Sequence, residues 1–163
     1  MIHYQTGDLF AADVEALVNP VNTKGVMGKG LAIQFKHRFP DNFEIYQKEC
    51  KQRKMMCGRV FVFHRGVSVN PRWIINFPTK DHWRNLSKIE YIQEGLDSLV
   101  LHVQACKIRS IAIPALGCGE GGLHWDDVQP LIVQAFEGLP HVHVTLFAPQ
   151  ESLSKEFFTK PPQ

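Results

Sequence analysis

The sequence predicts an α/β fold, a three-layer α/β/α sandwich around a mixed, largely parallel sheet. Short apolar segments of strand length alternate along the chain with segments of helical periodicity. Two apolar segments, residues 16–18 and 111–113, lead directly into glycine-rich loops. The second is continuously apolar, which is typical of a parallel strand buried on both faces. With 163 residues, 44% of them hydrophobic, the chain suits one domain over residues 1–150, and residues 151–163 are predicted to form a short helix and tail.

Local signals set the boundaries of the elements. Strands are predicted at residues 2–5, 16–19, 58–64, 72–77, 111–113 and 143–147, and helices at residues 30–39, 41–54, 87–103 and 126–136. Pro40 and Pro78 are expected to end the helix and the strand that precede them. Asp41 is a candidate cap of the second helix. Ser87 and Glu90 have the spacing of a capping box, which predicts that the long third helix starts there.

Composition excludes several classes of protein. No apolar run approaches the ~20 residues of a membrane span, and the first residues indicate a strand rather than a secretory signal. The four cysteines form no C-x-x-C pair, which favours reduced thiols in a cytoplasmic protein. The eight histidines lack metal-ligand spacing, and His141 and His143 are expected on the polar face of an edge strand. We expect a cytoplasmic monomer with no metal and no cofactor.

The first glycine loop, residues 19–30, has the sequence NPVNTKGVMGKG. Gly25, Gly28 and Gly30 permit positive φ angles and close approach of the backbone, so several N–H groups can point at one anion. A helix that begins near Gly28 adds its positive end to the same spot. The spacing matches neither the Walker nor the Rossmann pattern. A second loop, residues 114–123, has the sequence PALGCGEGGL, and together the loops predict a site for the two phosphates of one diphosphate.

One short segment, residues 77–87, combines Lys80 with an acid, a histidine, an arginine and a tryptophan. A lysine that loses its proton attacks aldehydes, and an ADP-ribose with an opened terminal ribose is one substrate of that kind. The alternative is that Lys80 is a solvated loop residue and Trp83 a packing anchor. Asp8 also has two interpretations, an acceptor for the exocyclic amine of a base and a cap of the turn over residues 9–13. The net charge of +2 does not by itself indicate a nucleic-acid partner, since local lysine and arginine clusters are typical of solvated helix faces.

Taken together, these motifs resemble the macrodomain family. The resemblance is carried by residues 19–32, by FPTKxxWRxxS at residues 77–87, by IxxGL at residues 92–96, and by PALGCGxGGLxW at residues 114–125. Within the family the chain is most similar to the branch that contains the DarG antitoxin and the human terminal ADP-ribose protein glycohydrolase, and it is closer to DarG. The resemblance extends from Met1 to about Gln150. A full-length DarG carries a further C-terminal region, so the chain is expected to correspond to its macrodomain.

The resemblance implies a function. The ligand is ADP-ribose, and the enzyme is a glycohydrolase that removes ADP-ribose from ADP-ribosylated thymine in single-stranded DNA. Its partners are that DNA and the DarT toxin, whose action it reverses as an antitoxin. Two alternatives stay open: a hydrolase of ADP-ribosylated glutamate or aspartate on proteins or of ADP-ribose esters, and a non-catalytic ADP-ribose-binding module.

The resemblance also assigns roles to residues. Lys80 matches the family's catalytic lysine, Asn22 the asparagine beside the terminal ribose, and Asp8 with Leu9 the segment that contacts adenine. The two loops supply the other candidate ADP-ribose-binding residues, Thr23, Gly28, Lys29, Gly30, Leu31, Gly117, Cys118, Gly119, Glu120, Gly121, Gly122 and Leu123. Trp83 and Arg84 are candidate contacts to the DNA strand.

The chain departs from the human glycohydrolase at Gly121, which stands where that enzyme has a catalytic aspartate. A lysyl adduct resolved by an aspartate is therefore not expected here, unless Glu120 or another acid takes the role. The Gly-Gly form is the one expected of the DarG-like side of the branch, which favours DNA as the substrate.

Overall fold

The computed structural model describes residues 1–149 and contains one six-stranded sheet between two layers of helices. The strands are β1 (Ile2–Gln5), β2 (Ala16–Asn22), β3 (Phe61–His64), β4 (Trp73–Lys80), β5 (Ser110–Ile113) and β6 (His143–Phe147). The helices are α1 (Gly30–Arg38), α2 (Pro40–Lys51), α3 (Ile89–Ala105) and α4 (Trp125–Phe136). The strand order is β1-β6-β5-β2-β4-β3, and only the β3–β4 pair is antiparallel. The predicted mixed, largely parallel sheet is confirmed.

Apolar side chains fix both layers of helices on the sheet. The predicted apolar face of α3 is buried, with Ile92, Leu96 and Leu99 in the same cluster as residues of β4 and β5. On the opposite face of the sheet, Phe35 of α1 packs with Leu17 of β2. Burial of such side chains is the main favourable term in folding.

Two strands contain a proline, and one of these prolines, Pro78, was predicted to end its strand. β2 contains Pro20, and β4 continues past Pro78 to Lys80, so the prediction that β4 ends before Pro78 is wrong. Proline lacks an N–H and is tolerated where a strand has a free edge. β3 pairs with β4 only as far as Asn76, and Pro78 therefore lies where β4 has a partner on one side only. Lys80 is consequently a strand residue and not a loop residue.

The sheet opens between β2 and β5. These strands are paired only at Ala16↔Ile111 and Leu17↔Ala112, whereas β2 and β4 stay paired along the whole length of β2. The carboxyl ends of β2 and β5 therefore separate, and the two glycine loops leave the sheet on the two sides of the gap. Ligands of open α/β sheets bind in such a crevice.

Three boundary predictions and one prediction of a strand's place in the sheet are wrong. α2 begins at Pro40, so Asp41 lies in the first turn of the helix and does not cap it. The side chain of Ser87 bonds elsewhere, and α3 begins at Ile89 after Lys88 without a side-chain cap. β3 starts at Phe61, three residues after the predicted start. β6, which contains His143, pairs with both β1 and β5 and is therefore an interior strand rather than an edge.

The segment 151–163, predicted as a helix and tail, lies outside the described residues, as does Gln150 at the end of the predicted domain. Among residues 1–149, no helix combines the length and the apolar character needed to cross a bilayer.

Candidate functional site

Lys80 and Asn22 are neighbours at the carboxyl ends of two paired strands. Asn22 of β2 lies opposite Lys80 of β4, and Val21 lies opposite Pro78. Thr79 therefore has no partner on β2, which makes it the extra residue of a β-bulge. Bulges are frequent beside active sites, where they re-aim a side chain. The two residues predicted to be catalytic therefore lie opposite each other, Asn22 at the end of β2 and Lys80 at the end of β4. This pair of strands borders the crevice.

The ammonium of Lys80 lies at an exposed position. Its Nζ donates one long hydrogen bond, 3.4 Å, to the carbonyl of Trp83. No carboxylate among residues 1–149 lies within 4 Å of it, since the two ion pairs found there involve other lysines. Trp83 is 44% exposed, and its ring stacks on that of His82 with centroids 3.8 Å apart. Trp83 and the exposed Arg84 therefore form a rim beside Lys80, and the interpretation of Trp83 as a packing anchor is wrong.

The first glycine loop is held by the side chain of Asn22. Its amide nitrogen donates to the Val26 carbonyl at 2.7 Å, and its Oδ1 accepts from the backbone N–H of Lys24 at 2.9 Å. The Tyr46 hydroxyl donates to both the backbone oxygen of Asn22 and its Oδ1, at 2.7 and 3.0 Å. Burial raises the pKa of Tyr46 well above its ordinary value, so this hydroxyl stays a donor. Gly25 and Gly30 have positive φ angles of +87° and +56°, whereas Gly28 does not.

The loop is also tied to the residue after Lys80. Thr23 donates its N–H to the Asp81 carbonyl at 3.0 Å, and its hydroxyl donates to the Asp81 carboxylate while lying 3.0 Å from the same carbonyl. Lys24 forms an ion pair with the same carboxylate at 3.5 Å. The hydrogen bond from Thr23 and the nearby Lys24 ammonium hold the pKa of Asp81 below its ordinary value. Asp81 is therefore committed to the first loop and is not turned toward Lys80.

The second glycine loop is shaped by backbone hydrogen bonds and by close packing that leaves no room for a Cβ at two of its glycines. Leu123 N–H donates to the Gly117 carbonyl at 2.9 Å, and Gly122 N–H donates to the Gly119 carbonyl at 3.2 Å. A Cβ on Gly121 would lie 2.5 Å from the Gly117 oxygen and 2.9 Å from Cβ of Ser87. Gly117 also combines a φ of +73° with no room for a Cβ, because the nearest atom of Leu123 would lie 2.8 Å away. An aspartate at position 121 is sterically excluded from this loop conformation.

Ser87 links this loop to β4, a role that sequence reasoning missed. Its N–H donates to the Gly121 carbonyl at 2.9 Å, and its Oγ donates to the Thr79 carbonyl. The spacing of Ser87 and Glu90 predicted a capping box. In the structure Ser87 bonds to Thr79 and Gly121 instead. Nothing in the spacing of residues 79, 87 and 121 indicates that they meet.

The other loop residues differ in exposure. Glu120 is exposed at the tip of the loop. The Cys118 thiol donates to the Leu116 carbonyl at 3.5 Å, and burial together with the Asp127 carboxylate raises its pKa to about 11. The thiol is therefore neutral near pH 7 and suits a lining role rather than a nucleophilic one.

At the far end of the crevice, Asp8 follows β1. Its carboxylate accepts from the Phe10 N–H at 3.0 Å and caps a short 3-10 turn, Leu9–Ala11, which was one of its two predicted roles. Leu9 is buried against Leu17 and Phe35, so its side chain is not available to a ligand.

Two surface cavities lie away from the glycine loops. They have volumes of about 280 and 190 Å³ and lie at the other end of β4, lined mainly by residues 67–72 and by residues 38–42 with Phe63 and Arg65. Neither contains a residue of the glycine loops. Within residues 1–149, no three His, Cys, Asp or Glu side chains are grouped as metal ligands.

Comparison with known proteins gives consistent results. The sequence model of the Macro domain matches residues 18–132. The DNA ADP-ribosyl glycohydrolase of Thermus aquaticus is 51% identical over 152 residues, which is 93% of this chain and 42% of that protein. The chain therefore spans less than half the length of such curated relatives.

Solved structures agree with the sequence comparison. The macrodomain of Mycobacterium tuberculosis DarG superposes with a TM-score of 0.90 at 49% identity, covering 92% of this chain and 99% of that one. DarTG of Thermosipho africanus, solved in complex with ADP-ribose, gives a TM-score of 0.84 at 36% identity and covers 99% of this chain and 43% of that one. Since the Macro domain matches well over half of the chain, the protein belongs to the macrodomain family.

Proposed function

We propose that this chain is a DNA ADP-ribosyl glycohydrolase that removes ADP-ribose from ADP-ribosylated thymine in single-stranded DNA. The observation that carries the proposal is the pairing of Asn22 with Lys80 across a bulge, in the crevice between the two glycine loops. Two relatives that are 51% and 50% identical along more than 90% of the chain, from Thermus aquaticus and Mycobacterium bovis, bear this name. One homologous structure is described as a complex with ADP-ribose.

Each part of the crevice has a role in the reaction. Backbone N–H groups of the two loops bind the diphosphate, and the first turn of α1, which starts at Gly30, adds its positive end. Asp8 and the backbone of Leu9 contact the adenine end. The terminal ribose then lies beside Asn22 and Lys80. In the net reaction, the bond between the anomeric carbon and the base breaks, and water supplies a hydroxyl to the carbon and a proton to the base.

The structure favours a role for Lys80 as the ammonium that assists departure of the base. A lysyl adduct that needs a carboxylate for its resolution is poorly supported, because position 121 has no room for one. Asp81 is bound to Thr23 and Lys24 instead. Glu120 is exposed at the loop tip. Treatment with borohydride during turnover tests this directly, since it would trap a covalent imine on Lys80 and leave a non-covalent intermediate unmodified.

The rim beside Lys80 supports DNA as the substrate. Trp83 offers an exposed ring and Arg84 an exposed guanidinium next to the reacting ribose. Stacking of a base on an aromatic ring contributes about 1–3 kcal/mol, and contacts to phosphate make binding sensitive to salt. We infer a partnership with a DNA ADP-ribosyl transferase of the DarT type, which the DarTG structure supports. The four free cysteines suit a reducing, cytoplasmic compartment.

The deciding experiment is release of ADP-ribose from a modified thymine oligonucleotide by the wild type and by Lys80→Ala. We expect Lys80→Ala to lower the rate by at least ~10²-fold, the usual effect of removing a group that acts in proton transfer, while ADP-ribose still binds. A protein modified on glutamate or aspartate serves as the competing substrate. Faster turnover of that protein, or unimpaired release by Lys80→Ala, would reject the proposal. Binding of ADP-ribose without turnover by the wild type would identify a non-catalytic module.

A further inference from the structure

We propose that Thr23 and Ser87 are positioning residues whose hydroxyl groups set the place of the Lys80 ammonium between the two glycine loops. This rests on the proposed function, in which Lys80 is the reactive group. The two hydroxyls act through the residues that flank Lys80, since Ser87 bonds to Thr79 and Thr23 bonds to Asp81.

The bulge creates the need for such support. Thr79 has no partner on β2, since the pairing passes from Val21↔Pro78 to Asn22↔Lys80. A bulged residue loses ladder hydrogen bonds, and its direction depends on other contacts. The Lys80 side chain gives little support of its own, because its recorded hydrogen bond to Trp83 is 3.4 Å long. The place of the ammonium therefore depends on how the backbone of residues 79–81 is held.

A buried hydroxyl holds the residue on each side of Lys80. The Oγ of Ser87 donates to the carbonyl of Thr79. The Oγ1 of Thr23 donates to the carboxylate of Asp81 and lies 3.0 Å from the carbonyl of the same residue. Ser87 is 7% exposed and Thr23 8%, so water has little access to either hydroxyl.

Each hydroxyl also belongs to one of the two loops or is tied to it. Thr23 is part of the first glycine loop, and its N–H bonds the same Asp81 carbonyl. Ser87 donates its N–H to the carbonyl of Gly121 in the second loop. A bound diphosphate would fix both loops, and the two hydroxyls would then transmit that position to Lys80. Misplacement of a catalytic group by 1 Å can cost ~10²-fold in rate.

Two substitutions remove the hydroxyls with little other change. Thr23→Val keeps the shape and the N–H bond to Asp81, and Ser87→Ala keeps the N–H bond to Gly121. Ser110→Ala is the matched control, because Ser110 also uses its Oγ in a bond to backbone, accepting from the Glu15 N–H at 2.9 Å, at the opposite end of the sheet.

We expect Thr23→Val and Ser87→Ala to lower kcat for oligonucleotide release by ~10- to 100-fold, with ADP-ribose affinity nearly unchanged. Thr23→Ser retains the donor and should restore most of the lost kcat. Ser110→Ala should leave kcat at the wild-type value, even if all three variants melt a few degrees earlier. Rates for Thr23→Val and Ser87→Ala equal to that of Ser110→Ala would overturn the proposal, as would a loss of rate explained entirely by weaker ADP-ribose binding.

A second measurement separates this proposal from the proposed function. In protein labelled with ¹³C,¹⁵N-lysine, the NMR signal of the Lys80 Cε–Nζ pair in the ADP-ribose complex reports the ammonium directly. It should move in Thr23→Val and Ser87→Ala and stay in place in Ser110→Ala. A wild type that binds ADP-ribose but releases none from DNA would refute the function, and the NMR shifts would still decide whether the hydroxyls position Lys80. An unmoved signal in both variants refutes the positioning role.

Discussion

The two glycine loops are held in shape by different kinds of interaction. The first is shaped by side chains, with Asn22 at the centre of hydrogen bonds to Val26, Lys24 and Tyr46. The second is shaped by backbone bonds and by glycines such as Gly121, which leaves no space for even one methyl group. Removal of a polar group should therefore disrupt the conformation of the first loop, whereas addition of a single carbon atom should disrupt that of the second.

The largest expected effect is in the second loop. Gly121→Ala places a Cβ 2.5 Å from a backbone oxygen that cannot move freely. Overpacking of this kind costs about 1–3 kcal/mol of unfolding free energy. If this loop binds the diphosphate, as the proposed function requires, the displaced loop should bind ADP-ribose about tenfold more weakly, equivalent to about 1.4 kcal/mol. Thermal unfolding and titration calorimetry measure the two effects.

The control for this comparison is Gly138→Ala. Gly138 has no atom within 4 Å of an added Cβ and no positive φ, so the substitution should change neither stability nor affinity appreciably. If Gly121→Ala behaves like Gly138→Ala, the second loop is more adaptable than its packing indicates, and the difference between the loops disappears.

An intermediate effect is expected in the first loop. Tyr46→Phe removes the hydroxyl that donates to the Asn22 backbone oxygen at 2.7 Å and to its Oδ1 at 3.0 Å. A buried acceptor left without its donor costs about 1–3 kcal/mol. Asn22 keeps its bonds to Val26 and Lys24, so the loss of ADP-ribose affinity should be smaller than for Gly121→Ala.

Tyr4→Phe is the matched control for Tyr46→Phe. The Tyr4 hydroxyl accepts from Gln129 at an exposed position, where substitutions usually change stability by less than about 0.5 kcal/mol. Urea unfolding compares the two variants. Equal stability of Tyr46→Phe and Tyr4→Phe would show that the side-chain network does not hold the first loop.

The two loops also differ in how much of them the sequence predicts. Runs of glycine after apolar segments are local signals, so the position of both loops was predictable. The α3 face was predictable for the same reason, since Ile92, Leu96 and Leu99 recur with helical spacing. The family resemblance then supplied Lys80 and Asn22, and the structure brings these two together.

What the sequence could not predict are long-range polar contacts and the local effects of strand pairing. Ser87 has the right spacing from Glu90 to cap a helix. Its hydroxyl donates instead to the carbonyl of Thr79, eight residues earlier, and its N–H donates to the carbonyl of Gly121. A proline normally ends a strand, but the pairing of β3 with β4 stops at Asn76, so Pro78 lies where one side of β4 is unpaired. The links of Thr23 to Asp81 and of Tyr46 to Asn22 likewise join residues far apart in the chain.

The smallest expected effect is electrostatic and belongs to the first loop alone. The pKa of Asp81 lies below its ordinary value of 3.8, mainly because Thr23 donates a hydrogen bond to it. A carboxyl with a depressed folded-state pKa contributes stability above pH 3.8 and loses that contribution as the pH falls through the folded value. Asp81→Asn should therefore melt slightly earlier than the wild type at pH 5–7, and the difference should vanish as the pH falls below 3.8.

The size of this difference is limited by exposure, because the Asp81 side chain is 54% exposed and water screens its interactions. Salt provides a further test. The part that arises from the ion pair with Lys24, at 3.5 Å, should weaken as ionic strength rises, whereas the hydrogen bond from Thr23 should persist. A melting difference that is independent of pH between 3 and 7 would show that the carboxylate charge has no part in holding the first loop, which would leave its hydrogen bonds as the only link to the segment beside Lys80.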